Sequence, residues 1–292
     1  MGLVRLIFVT LVLVGGYFGH RSYEDGTLAQ WLRDEGITSA KAAPIPTDPE
    51  IVQLADVATM TPYARDIFYR SVPQIDGDRA LFEAHCNLPN VPDSSVELAC
   101  YAPSDNRIFI LRIDDPQLKS EMVVAAAHEM LHAAYRKLTT SERAAIDKEL
   151  RAALPSVMND SLRNQLRQYR ISEPGQENNE LHSILGTEHR TLTPALETYY
   201  AKFFTNRLAV VSQSEAWESV FSDLKVKIQR TEKAIRDLRA EMAEDRRRNN
   251  TAAYNSKVPR VNALVKDYNE QVQQYNRLSR SLLGPELPDV TQ

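Results

Sequence analysis

The chain has 292 residues, of which 43% are hydrophobic and 25% charged, with a formal net charge of -4 and two cysteines. This is ordinary globular usage, long enough for one core with a cleft plus extra elements. The charge balance excludes a general electrostatic attraction to nucleic acid, and no nucleic acid is expected as a partner.

Residues 3–19 form a near-continuous apolar run, with Arg5 near its start and Gly15 and Gly16 in its second half. A run of about 10–14 apolar residues suits a signal peptide, whereas about 17 or more can span a bilayer. No clear Ala-x-Ala site follows, so residues 1–21 read as a single membrane anchor. Arg5 and the terminal amine would stay cytoplasmic, leaving the body of the protein outside, or secreted if the segment is cleaved. Residues 22–37 suit a short helix, and Pro44, Pro46 and Pro49 among small residues mark the end of a linker over 22–49. Over 50–84 the apolar positions Ile51, Leu54, Val57, Ile67, Phe68, Leu81 and Phe82 suggest a helical lead-in broken at Pro62 and Pro73.

Cys86 and Cys100 are an even pair in a chain read as exported, which predicts a disulfide, and no C-x-x-C spacing points to zinc. Residues 96–101 and 107–113 are rich in β-formers and flank the turn-like Pro103-Ser104-Asp105-Asn106, which predicts a hairpin. Asp115-Pro116 signals a helix start, and apolar residues then recur to Leu138 without Pro or Gly. Further helices are expected over 141–153, 156–169 and 194–211, with a loop at 172–178 and a helical turn or more at 180–185.

The last third changes character. Phe221, Leu224, Ile228, Thr231, Ile235, Leu238 and Met242 step by three and four, as do Val258, Val261, Val265, Tyr268, Val272, Tyr275, Ser279 and Leu282. These heptad seams predict an antiparallel coiled-coil hairpin over 212–284, joined at the polar stretch Arg246 to Asn250 and the region of Asn255 and Ser256, with a tail at 285–292. Such a hairpin offers a surface to a protein partner.

The chemistry is concentrated in His128-Glu129-Met130-Leu131-His132. Histidines at i and i+4 on a helix project from one face, one turn apart, as joint coordination of Zn2+ requires. Glu129 can then reach a water polarised by the metal without displacing either ligand and act as catalytic general base. Two histidines and a carboxylate among Ala125-Ala126-Ala127 and Ala133-Ala134 are costly to bury as mere core. A catalytic zinc takes three protein ligands, and the residues after His132 lack the Gly and His of the metzincin pattern, so the third comes from elsewhere. The stretch 179–189 is dense in candidates: Glu180, His182, Glu188 and His189. His182 can instead donate to an oxyanion or cap a helix, and Tyr199 and Tyr200 can offer a phenol or serve as core.

With this helix followed by Asn179-Glu180, the region from about 108 to 196 resembles the gluzincin metallopeptidases, in which a second helix donates a glutamate, often preceded by asparagine. The resemblance implies His128, His132 and Glu180 as zinc ligands, Glu129 as the base and a peptide or protein as substrate. It departs from the family at Ile184, where an aspartate often orients the first histidine. It also implies that residues 107–113 form an edge strand to which an extended peptide adds. The expected fold is α+β and mostly helical: a zincin-like domain over 50–211 with a small β-hairpin or sheet, and the appended helical hairpin. The rival reading is a membrane-anchored coiled-coil scaffold with a structural or degenerate metal site.

Overall fold

A computed structural model describes residues 43–86, 98–172 and 174–283. The protein is mostly helical with a three-stranded mixed sheet, and its described residues divide into two compact units, one of 43–113 and 119–215, the other of 114–118 and 216–283.

The first unit opens with α1 (Pro49–Val57) and α2 (Pro62–Arg70), each with proline in its first turn. Asp48 caps α1 by accepting from Glu50 N at 2.9 Å, and Thr61 caps α2 by accepting from Ala64 N at 3.2 Å. Strand β1 (Gln74–Asp76), helix α3 (Arg79–Cys86), β2 (Ala99–Ala102) and β3 (Arg107–Leu111) follow. The expected hairpin is present as β2 and β3, paired antiparallel from Ala99 opposite Ile110 to Ala102 opposite Arg107. Strand β1 was not expected: three residues after a proline are too few to display alternation, and only their parallel pairing with Phe109, Ile110 and Leu111 makes them a strand. That pairing corrects the edge-strand reading, because the sheet order is β1-β3-β2 and β3 spends both its backbone edges inside the sheet. The predicted disulfide is present, joining the last residue of α3 to β2 with Cys86 and Cys100 Cα atoms 5.9 Å apart.

Helix α4 (Ser120–Arg136) carries the His-Glu-x-x-His motif and is buried along nearly its whole length. It begins later than Asp115-Pro116 suggested: Asp115 Oδ1 accepts from Gln117 N at 2.9 Å and its carbonyl from Leu118 N at 3.0 Å, closing a local turn instead of the helix. Helix α5 (Thr140–Val157) starts at a capping box in which Thr139 and Glu142 satisfy each other's backbone amides. Then come α6 (Asp160–Ser172), α7 (Glu177–Thr187) and α8 (Pro194–Tyr200). Helix α4 packs on α1, α2, β2, β3 and, most extensively, α7. Gly186 makes the last approach possible, since a Cβ there would lie 2.5 Å from Leu131 Cδ1 and 2.9 Å from Tyr200 Cε1.

In the second unit, the residues from 216 onward in α9 (Arg207–Arg247) pair with α10 (Thr251–Leu283). Ile235, Leu238, Met242 and Val261 form a buried cluster, flanked by Val258, Val265 and Tyr268. The turn is tighter than expected: Asn249 adopts φ 58 and Asn250 Oδ1 accepts from Ala253 N at 3.1 Å, so Asn255 and Ser256 already lie inside α10. The structure supports a helical hairpin with Pro259 inside α10, and this corrects the coiled coil expected from the heptad seams, since helix pairing with apolar burial is shown and supercoiled heptad packing is not.

The membrane-anchored placement also requires correction. No helix among the described residues is long and apolar enough to cross a membrane. Residues 1–21, on which the anchor reading rested, lie outside the described residues, as do the suggested helix at 22–37 and the tail at 285–292.

Candidate metal centre

Helix α4 presents His128 and His132 one turn apart, their ring centroids 4.7 Å from each other. Helix α7 brings up Glu180 from the opposite side. Its Oε2 lies 3.7 Å from His128 Nε2 and its Oε1 lies 3.6 Å from His132 Nε2. One donor atom from each of the three residues lies within 4.8 Å of the others, so the group could hold a metal ion.

The spacing itself tests the fit. Both Nε2 atoms are buried and neither has a hydrogen-bond partner, because the carboxylate oxygens stand just beyond hydrogen-bond range. Donors bound tetrahedrally at about 2.0–2.2 Å from one ion are separated by about 3.3–3.6 Å. Each Nε2 stands 3.6–3.7 Å from one Glu180 oxygen, and the three donors lie within 4.8 Å of one another. Burial, followed by the nearness of His132 and His182, pushes the His128 pKa well below its usual 6.5, and burial brings His132 down to about 4 against the opposing hydrogen bond to Asn179. Both imidazoles are therefore neutral near pH 7, the form that ligates. Two imidazoles and a carboxylate suit several divalent metals, not zinc alone.

The neighbouring residues sort the other candidates. His182, only two positions beyond Glu180, turns away from the centre: its Nε2 lies 2.9 Å from the Tyr199 hydroxyl, and its ring sits among Tyr135, Tyr199 and Tyr200. Burial, then the nearness of His132, lowers its pKa to about 3. Tyr200 is core, its hydroxyl donating to the His182 carbonyl at 2.6 Å. Glu188 approaches the far side of His128, with Oε1 4.0 Å from Nδ1, and His189 is not in the group. Glu129 is wholly buried in the motif helix, between the two histidines in sequence.

Asn179, marked in the sequence only through the resemblance, orients a member of this group. His132 Nδ1 lies 3.0 Å from its Oδ1, which holds that ring with Nε2 toward Glu180. Its neighbour Asn178 donates to Asp147 Oδ2 at 2.9 Å, and Tyr135 donates to Asp147 Oδ1 at 2.7 Å, so α4, α5 and the first turn of α7 share one carboxylate. Nothing in local periodicity marks Asp147, because its partners lie far along the chain in both directions. Arg207 was missed too. Buried to 5% exposure, it donates to the carbonyls of Leu185 at 3.3 Å, His189 at 2.6 Å and Arg190 at 3.1 Å, while paired with Glu197 at 2.6 Å.

The chain matches no protein-family model, no curated protein and no solved structure.

Proposed function

We propose that this chain is a zinc-dependent peptidase of the gluzincin type, with His128, His132 and Glu180 as ligands and Glu129 as general base. The observation that carries the reading is the inward-facing trio: two buried imidazole Nε2 atoms without hydrogen bonds, each 3.6–3.7 Å from one carboxylate, on a helix that also buries Glu129. A zincin-like core is supported by that helix lying against a small mixed sheet. When bound, zinc supplies Lewis acidity toward the scissile carbonyl and brings the pKa of a water toward neutrality. Glu129 takes the proton from the attacking water and delivers it to the leaving amine nitrogen. Asn179 keeps His132 oriented, and the alanines of α4 with Gly186 of α7 let the donor helices approach.

One observation favours a second reading, a structural metal site in an interaction protein. His128, Glu129, His132 and Glu180 are each at most 1% exposed, whereas a catalytic zinc keeps an open position. The peptidase reading therefore requires the centre to open to a substrate.

Metal content of the purified chain and cleavage of a mixed peptide library, with and without a chelator, separate the two. The peptidase reading expects about one zinc per chain and chelator-sensitive cleavage. Glu129→Gln should keep the metal and lower the rate by at least about 10²–10⁴-fold. His128→Ala should lose metal and activity together, and Glu180→Ala should bind zinc markedly more weakly. Equal cleavage by the parent and Glu129→Gln would sink the mechanism. Bound metal without any cleavage transfers the assignment to the structural site.

A further inference from the structure

The two histidines solve the same problem to different degrees. A neutral imidazole that turns its Nε2 lone pair toward a metal carries its proton on Nδ1, and in a buried ring that N–H needs an acceptor. For His132 the acceptor is Asn179 Oδ1 at 3.0 Å. His128 Nδ1 is equally buried and has no hydrogen-bond partner. Ile184, one turn beyond Glu180, is buried and aliphatic and offers no acceptor there.

We propose that Glu188 positions His128, its carboxylate accepting the Nδ1 proton so that Nε2 stays directed at the metal held with Glu180. This rests on the metal-centre reading above and names the residue that completes it. Glu188 stands two turns beyond Glu180, at the end of α7, where its amide donates to the Ile184 carbonyl at 2.9 Å. Its Oε1 already lies 4.0 Å from His128 Nδ1, on the opposite side of the ring from Glu180 Oε2 at 3.7 Å. The His128 ring thus lies between two carboxylates, the arrangement by which an outer carboxylate fixes the tautomer and raises the basicity of a ligating histidine. The backbone on either side of Glu188 is anchored, since Arg207 donates to the carbonyls of Leu185, His189 and Arg190. Glu188 touches neither metal nor substrate and acts through His128.

The test measures zinc dissociation constants by competition with a chromophoric chelator for the full chain, Glu188→Gln and Glu188→Ala. It adds the visible spectra of their cobalt-substituted forms and the melting temperatures of the metal-free proteins. Loss of the outer carboxylate should weaken zinc by about 10–100-fold. Glu188→Gln, which keeps an acceptor oxygen, should lose less than Glu188→Ala. Both cobalt spectra should shift, while the metal-free melting temperatures stay with the parent. Unchanged affinity with superimposable cobalt spectra in both variants overturns the role of Glu188 and leaves the metal centre standing. A parent that binds neither zinc nor cobalt overturns the metal centre and this inference together.

Discussion

The α4 and α7 pair and the α9 and α10 hairpin are both helix pairs, but they bury opposite kinds of surface. The hairpin encloses Ile235, Leu238, Met242 and Val261 and leaves its charges in water as pairs such as Lys233 with Asp237. Such an interface is stabilised by apolar burial. The α4 and α7 interface instead buries His128, His132, Glu129 and Glu180, groups whose desolvation opposes folding. Small residues let the backbones come close enough for those groups to face one another, and Asn179, Asp147 and Arg207 hold the surroundings in place. Polar burial of this kind is accounted for by the proposed metal centre, whereas an apolar seam needs none.

The contrast can be broken most forcefully at Arg207. Arg207→Ala strips donors from three carbonyls and a partner from Glu197, and should destabilise the first unit by about 3–5 kcal/mol in chemical denaturation. A loss below about 1 kcal/mol would mean that water replaces the guanidinium and that the loop carrying Glu188 is not held by it. In the hairpin, Leu238→Ala removes a side chain of 4% exposure from the apolar cluster and should cost about 3 kcal/mol, read from the helical circular-dichroism melt. Zinc affinity is the control for this variant. An unchanged dissociation constant fits the view that the hairpin has no part in coordination, and a large change would contradict it.

Gly186→Ala probes the close approach directly. The new methyl meets Leu131 Cδ1 at 2.5 Å and Tyr200 Cε1 at 2.9 Å, and both side chains are fully buried, so neither can swing into solvent. Overpacking of about 1–3 kcal/mol is offset by the gain of about 1 kcal/mol in helix propensity, leaving a net loss of about 0–2 kcal/mol. The sharper readout is zinc affinity, which should fall as α7 moves off α4. A variant as stable and as zinc-binding as the parent would show that the helices have slack. The smallest effect belongs to Lys233→Ala. Its i,i+4 pair with Asp237 is exposed and runs in the weaker orientation, lysine first, so the melting transition should move by no more than about 0.3–0.5 kcal/mol.

How much of this was legible beforehand follows from the range of each interaction. The motif helix, the β2–β3 hairpin, the Cys86–Cys100 bond and the two long helices rest on signals within a few turns of chain or on a pair of like residues. Helix ends were less legible wherever a side chain had two uses: Asp115 capped a turn where a helix start was expected, and Asn250 opened α10 ahead of the expected loop. A chemical requirement for another ligand narrowed the search for a third donor only to one polar stretch with four candidates, and it was the resemblance to the gluzincins, through Asn179-Glu180, that singled out Glu180.

By itself the sequence determined which residue types are available and which local elements form, because helical and strand periodicity are properties of neighbouring residues. It therefore determined His128, Glu129 and His132 on one helix and the apolar seams of the hairpin. Only the tertiary structure decided that β3 lies between β1 and β2, since strand order depends on pairings between segments far apart in the chain. It alone decided that Glu180, and not His182, faces the two histidines: residues two apart on a helix point to different sides, and which side meets α4 is set by packing around Gly186. The roles of Asn179, Glu188 and Arg207 belong to the same class, because a hydrogen bond or ion pair between distant residues leaves no periodic trace and exists only once the elements have closed on one another.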